Sequence, residues 1–226
     1  MYGRRSQRLA AALRPARSLY VSCVAMICAY HAIFCAYGFW LPNDPRGSWS
    51  DWVRSWELFR YGRATKVATR RSVAGVPLDD RQRSAAKSAL RYRPVVFTGR
   101  QGLSVANGFR QAVEDANYSI HACAILPQHI HAVIGRDGRS VEQIVSHLKR
   151  AASRRLREDG IHPHQGHGGK DGTLPSPWAR KCWKVFIDHD CDLDRAISYV
   201  QQNPIKEGLR AQTWSFVTSR RPEAAR

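Results

Sequence analysis

Acidic side chains are the scarce class in this chain. Its 226 residues carry 18 Asp and Glu against 36 Lys and Arg, a formal charge of +18 and a pI of about 10.4. That imbalance is the electrostatic footprint of a protein that meets a polyanion, most often nucleic acid, and it says little about fold. Paired cysteines are also lacking. Cys23, Cys28, Cys35, Cys123, Cys182 and Cys191 form no CxxC and no framework spacing, which argues for free thiols in a reducing compartment and against a disulfide scaffold. No internal repeat is present. Nor is there a clean membrane-length apolar run: Leu19 to Leu41 is long enough to span a bilayer, but Tyr30, His31 and Tyr37 interrupt it and small residues dilute it. A single buried strand over "AYHAIFCAYGFWL" fits that stretch better than an anchor. With 43% hydrophobic residues the chain is not wholly disordered, and its length suits one well-cored domain with an insertion.

Residues 1–20 read as a basic arm with Arg14 and Arg17 as phosphate contacts. The first strand follows, then an irregular basic insertion over about 43–95 holding one helical piece begun by Asp79 or Asp80. A helix is expected from Thr98 to Asn117, with Val105, Phe109 and Val113 on one face. "YSIHACAILPQHIHAVIG" reads as a hairpin, Tyr118 to Leu126 and His129 to Gly135, turned at Pro127-Gln128. Ser140 with Gln143 forms a capping box before a helix to about Glu158. That helix buries Val141, Ile144, Val145, Leu148, Ala152 and Leu156, and its other faces carry Lys149, Arg150, Arg154, Arg155 and Arg157. A Gly, Pro and His loop leads to a fourth strand within "WARKCWKVFID". Asp192 should cap a last helix that stops at Asn203, because Pro204 disfavours helical geometry before it. The order gives an α+β fold: a ferredoxin-like β-α-β-β-α-β antiparallel sheet with helices on one face, plus a C-terminal helix. Residues 21–210 form that domain and 211–226 a tail.

Two motifs carry chemistry. His129 and His131, at i and i+2 of a strand, project to one face with Ile130 turned into the core, so two imidazoles can hold one divalent ion. Tyr199 and Asn203, four apart, share one face of the last helix. His162, His164 and His167 sit in a loop read as mobile, able to touch DNA and poorly supported for metal binding. Trp40, Trp49, Trp52, Trp178 and Trp183 are available to stack on bases, with Trp178, Arg180 and Lys181 the first group to test.

"QHIHAVI" followed by "YVQQNPIKEGL" resembles the HUH-type single-tyrosine transposases, most closely the branch of REP-associated tyrosine transposases. His129, Ile130 and His131 match that family's histidine pair; Tyr199, Asn203 and Pro204 match its Tyr-x-x-x-Asn-Pro helix motif, with Gly208 and Leu209 following. The resemblance implies a catalytic Tyr199 that forms a covalent 5′-phosphotyrosine, beside a divalent metal, Mg2+ or Mn2+, on His129, His131 and the Asn203 oxygen. Ligand softness favours Mn2+ for a histidine pair. The expected partner is single-stranded or hairpin DNA, repetitive palindromic elements included, bound by Lys149, Arg150, Arg154, Arg180 and Lys181. A bacterial cytoplasmic location is expected, with no membrane contact and room for a homodimer. The rivals are a non-catalytic nucleic-acid-binding protein and a hydrolase using the histidines alone, with water in place of Tyr199.

Overall fold

A computed structural model describes residues 26–67, 75–77 and 79–218. The basic arm with Arg14 and Arg17, and Cys23, lie outside them.

Four antiparallel strands form one sheet in the order β2-β3-β1-β4: β1 (Ala29–Cys35), β2 (Ile120–Ile125), β3 (His129–Gly135) and β4 (Trp183–Ile187). This is the ferredoxin-like arrangement expected from the element order. Alternation along the strands sorts the residues between two faces. Ala32, Phe34, Ile130, Ala132 and Ile134 join helices α3 (Gly99–Ala116) and α4 (Val141–Glu158) in the main core. Ala29, Ala122, Ala124 and Val133 face the other way, packing with Ile187 and with Leu193 and Val200 of α5 (Asp190–Lys206). α5 can lie close to the sheet because three of those strand positions are alanine.

The caps of α3 and α4 follow local chemistry. Thr98 and Gln101 form a capping box, as do Ser140 and Gln143, each satisfying orphan backbone donors. Asn117 ends α3 in the left-handed region at φ 53°. The α3–α4 crossing is tight at Gly108, where a Cβ would lie 2.6 Å from the Ala152 Cα.

Three boundaries differ from the sequence reading. The first strand ends at Cys35 and does not run to Leu41. Gly38 turns the chain at φ 77°, where a side chain would meet Leu90 and Pro94 at 2.9 Å. The last helix starts at Asp190 with His189, not Asp192, at its N-cap, and it continues through Pro204 to Lys206. Proline at that point removes only its own bond to the Val200 carbonyl. Beyond it, Gly208 N–H reaches the Ile205 oxygen and Leu209 N–H the Pro204 oxygen, at 3.0 and 2.8 Å. With Gly208 at φ 72° this is a Schellman closure, which satisfies the final carbonyls despite the proline.

The segment after β1 is more ordered than an irregular insertion. It adds a short helix α1 (Trp56–Phe59) to the expected α2 (Asp80–Ser88, capped by Asp79). Leu41, Val53, Leu58 and Ala86 make a small separate core, beside the buried Asp44–Arg46 ion pair at 2.8 Å. The chain after α5 covers the free edge of β2. The Gln212 side chain pairs with both backbone groups of Ile125 at 2.8 Å, and Thr218 N–H donates to the Ile120 oxygen. The cysteines of the described residues are free thiols, although only Cys123 is fully buried and Cys191 is exposed. No helix among the described residues is long and apolar enough to cross a membrane.

Candidate active site

β3 presents His129 and His131 on the face that carries α5, their ring centroids 5.0 Å apart. The apolar stripe of α5, through Leu193 and Val200, presses this helix on the sheet and brings Tyr199 over the pair. The tyrosine ring lies 5.8 Å from that of His131, edge to face. Tyr199 is 45% exposed, so the residue is open to a ligand. One turn on, Asn203 is buried at 7%, and its Nδ2 has no hydrogen-bond partner. Lys206 sits a turn further, its Nζ 5.2 Å from the Tyr199 ring. Tyr199 and the histidine pair named from sequence therefore meet in one copy of the chain, with Asn203 one helical turn from Tyr199.

Sequence reasoning missed a fifth residue, His31. β1 pairs with β3 so that Ile33 faces His131 and His31 faces Val133. His31 is thereby the diagonal neighbour of His131 on the same face. Its Nε2 lies 3.0 Å from His131 Nδ1, and its ring is 5.7 Å from Tyr199. The only sequence signal was a histidine placed at strand period inside an apolar run. Phe39, just past the first strand, stacks on His129 at 4.9 Å with the planes 2° apart.

Burial keeps these imidazoles neutral. It lowers His31 to about 4 and His131 to about 2, with the neighbouring His129 and His31 adding to the effect. Burial also lowers His129, against a small opposing pull from Glu207. Neutral imidazoles offer lone pairs to a cation. Among the described residues no three His, Cys, Asp or Glu side chains are placed to hold a metal, so a third donor drawn from them would be of another type. The donor set fits a divalent ion on that condition. His129 Nδ1 and Asn203 Nδ2 are buried without partners. Because amide oxygen and nitrogen are interchangeable by a flip, Asn203 can offer an oxygen where its amide now has nothing to meet.

The remaining candidates divide. A groove of about 1170 Å³ runs between α4 and the segment after β1, lined by Trp40, Trp52, Arg54, Arg150, Arg154, Arg180 and Lys181 among others. It contains none of the histidine and tyrosine motif residues. Lys149 reaches the same groove, but its ammonium donates to the Ala179 and Lys181 carbonyls at 2.9 and 2.7 Å and burial lowers it to about 8. It pins a loop and is poorly available to phosphate. Trp178 is not a stacking surface. It is 5% exposed, packed among Phe34, Phe97 and Phe109, and donates its Nε1–H to the Lys149 oxygen at 3.0 Å. The exposed indoles are Trp49, Trp52 and Trp56, with Trp49 against Trp183 at 5.8 Å. The 162–167 loop also departs from expectation. His162 and His164 are 5% and 2% exposed, and His164 packs against Tyr37 and Tyr92. Aromatic packing gives that loop the rigid support its glycines do not.

The sequence profile of the family described as "Transposase IS200 like" matches residues 88–203. No curated protein matches the chain. Two transposases are among the solved structures that resemble it. One is a REP-associated tyrosine transposase bound to a REP hairpin, 13% identical, at a TM-score of 0.42, covering 81% of this chain and 70% of that one. The other is a protein assigned as a transposase from Deinococcus radiodurans R1, 14% identical, at a TM-score of 0.39, covering 82% and 94%. The matched profile spans half the chain and contains His129, His131, Tyr199 and Asn203, and on that match the chain belongs to the IS200-like transposase family.

Proposed function

We propose that this transposase nicks and rejoins single-stranded or hairpin DNA through Tyr199, forming a covalent 5′-phosphotyrosine. Tyr199 Oη attacks phosphorus and its proton leaves. The bond from phosphorus to the 3′ oxygen breaks, and that oxygen takes up a proton as a free 3′-hydroxyl. The link keeps the ester bond, so attack by another 3′-hydroxyl reverses the step and transfers the strand. The observation that carries this reading is the placement of a half-exposed Tyr199 edge-on to His131, one helical turn from a buried Asn203 with an unpartnered amide. A phosphate brought to Tyr199 would also meet the positive charge of Lys206, whose Nζ lies 5.2 Å from the ring centroid. His129, His131 and Asn203 would hold a divalent ion, Mg2+ or Mn2+. When bound, it supplies positive charge to the non-bridging oxygens. The basic groove, with Arg150, Arg154, Arg180 and Lys181 facing Trp52 and Arg54, is suited to the DNA backbone and unpaired bases. A hairpin like that bound by the REP-associated relative is the substrate to try first.

The test is a panel of end-labelled hairpins incubated with Mn2+ and run on a denaturing gel. The expected result is a slow-migrating adduct that protease removes, absent for Tyr199→Phe. An active phenylalanine variant would overturn the nucleophile assignment, and water-derived products without adduct would make the protein a histidine-metal hydrolase. A chain that binds the hairpins and never cuts them would be a DNA-binding protein only.

A further inference from the structure

His31 lies outside the matched stretch of residues 88–203, yet its ring is hydrogen-bonded to that of His131. The two rings are buried, at 9% and 4% exposure, with Nε2 of one 3.0 Å from Nδ1 of the other. Tyr199 stands edge-on to both, at 5.7 and 5.8 Å. Two neutral imidazoles sharing one hydrogen bond have only two arrangements, since one nitrogen must donate and the other accept. If His31 donates, His131 carries its proton on Nε2, and that nitrogen has no lone pair left for a cation. If His131 donates from Nδ1, its Nε2 is free. The hydrogen-bond partner of one ring nitrogen fixes which nitrogen of a histidine is left to ligate, and here that partner comes across β1–β3.

We propose that His31 is a positioning residue whose Nε2 accepts the Nδ1–H of His131, fixing the ring and the tautomer that leave His131 Nε2 as the ligating nitrogen. The proposal rests on His131 being a metal ligand. Phe39 plays the matching part for His129 by face-to-face stacking, so the β1 segment locks both imidazoles of β3. Val133 and Ile33, the cross-strand partners of His31 and His131, offer no polar group that could replace the bond.

Two measurements on the full-length chain test this. In the metal-free protein labelled with 15N-histidine, His131 should show a protonated Nδ1 and an unprotonated Nε2. The reverse pattern would overturn the proposal outright, with no variant needed. Mn2+ affinity, read by electron paramagnetic resonance titration, should fall on the order of 10- to 100-fold in His31→Phe, the usual effect of removing an outer-shell partner. It should recover most of that loss in His31→Gln, whose side-chain oxygen can accept. Equal affinity for wild type and His31→Phe would sink the idea, as would a glutamine variant no better than phenylalanine while both remain folded by thermal unfolding. None of these readouts uses Tyr199 chemistry. An adduct formed by wild type together with the wrong tautomer defeats only the role of His31; the right tautomer with no adduct defeats only the nucleophile. A wild-type chain that binds no Mn2+ overturns the ligand reading and this proposal with it.

Discussion

Trp178 and Trp52 carry the same indole into opposite surroundings. Trp178 fills the space between Phe34, Phe97 and Phe109 and ties its Nε1–H to α4, whereas Trp52 is 70% exposed on the basic groove. Trp178→Ala should therefore cost about 3–5 kcal/mol of stability, the range for emptying a large aromatic site, seen as a lower urea midpoint. Trp52→Ala should change stability by no more than about 0.5 kcal/mol while weakening single-stranded DNA binding by about 1–3 kcal/mol. Unchanged DNA affinity in Trp52→Ala would remove that indole from the DNA path. The contrast also marks what single residues disclose before folding. His129 with His131, and Tyr199 with Asn203, were legible because strand and helix periods fix which neighbours share a face. Which indoles face solvent depends on partners far along the chain, and so does the bond between His31 and His131, whose residues are 100 apart.

Elements were legible where an N-terminal capping box wrote the boundary. The boxes at Thr98 and Ser140 start α3 and α4 where the sequence places them. The end of α5 was not, because the bias against helix before proline is weaker than a closed C-terminal motif. Gly208 makes that closure, at φ 72° with open space around the missing Cβ. Gly208→Ala should then cost about 1 kcal/mol from backbone strain alone, and fray the turn that carries Asn203 and Lys206. Hydrogen exchange at Leu209, whose N–H bonds to the Pro204 oxygen, is the local readout. Gly108→Ala is the opposite case: its φ is ordinary, but the new Cβ would meet Ala152 backbone atoms at 2.6 and 2.8 Å. Backbone cannot turn aside, so α3 and α4 must separate, and a loss of about 3 kcal/mol or more is expected by thermal or urea unfolding. A glycine-to-alanine change at Gly108 that cost no more than at Gly208 would contradict the crossing distance.

At the scale of the molecule, the sheet order followed from the element order, while the structured segment after β1 did not. Its small core and its Asp44–Arg46 pair draw on residues from Leu41 to Ala86 with no periodic pattern to announce them. What folding adds over the whole chain is a set of buried neutral histidines, and these set an acid limit. Burial lowers His31 and His162 from 6.5 to about 4, and lowers His129, His131 and His164 as well. In the unfolded chain all would titrate near their ordinary value. Between about pH 6.5 and pH 4 the unfolded state therefore binds protons that the folded state refuses, so stability rises with pH there and is fully present only above that window. Each of the two histidines displaced to about 4 contributes a slope of up to about 1.4 kcal/mol per pH unit inside it. Urea midpoints of the metal-free protein should hold steady from pH 8 to 7 and fall steeply from about pH 6.5 to 5. The +18 charge adds repulsion as any histidine gains a proton, and salt screens that part while leaving the histidine part. A decline that persists at high salt identifies the buried imidazoles as its source; one that salt abolishes would assign it to surface charge.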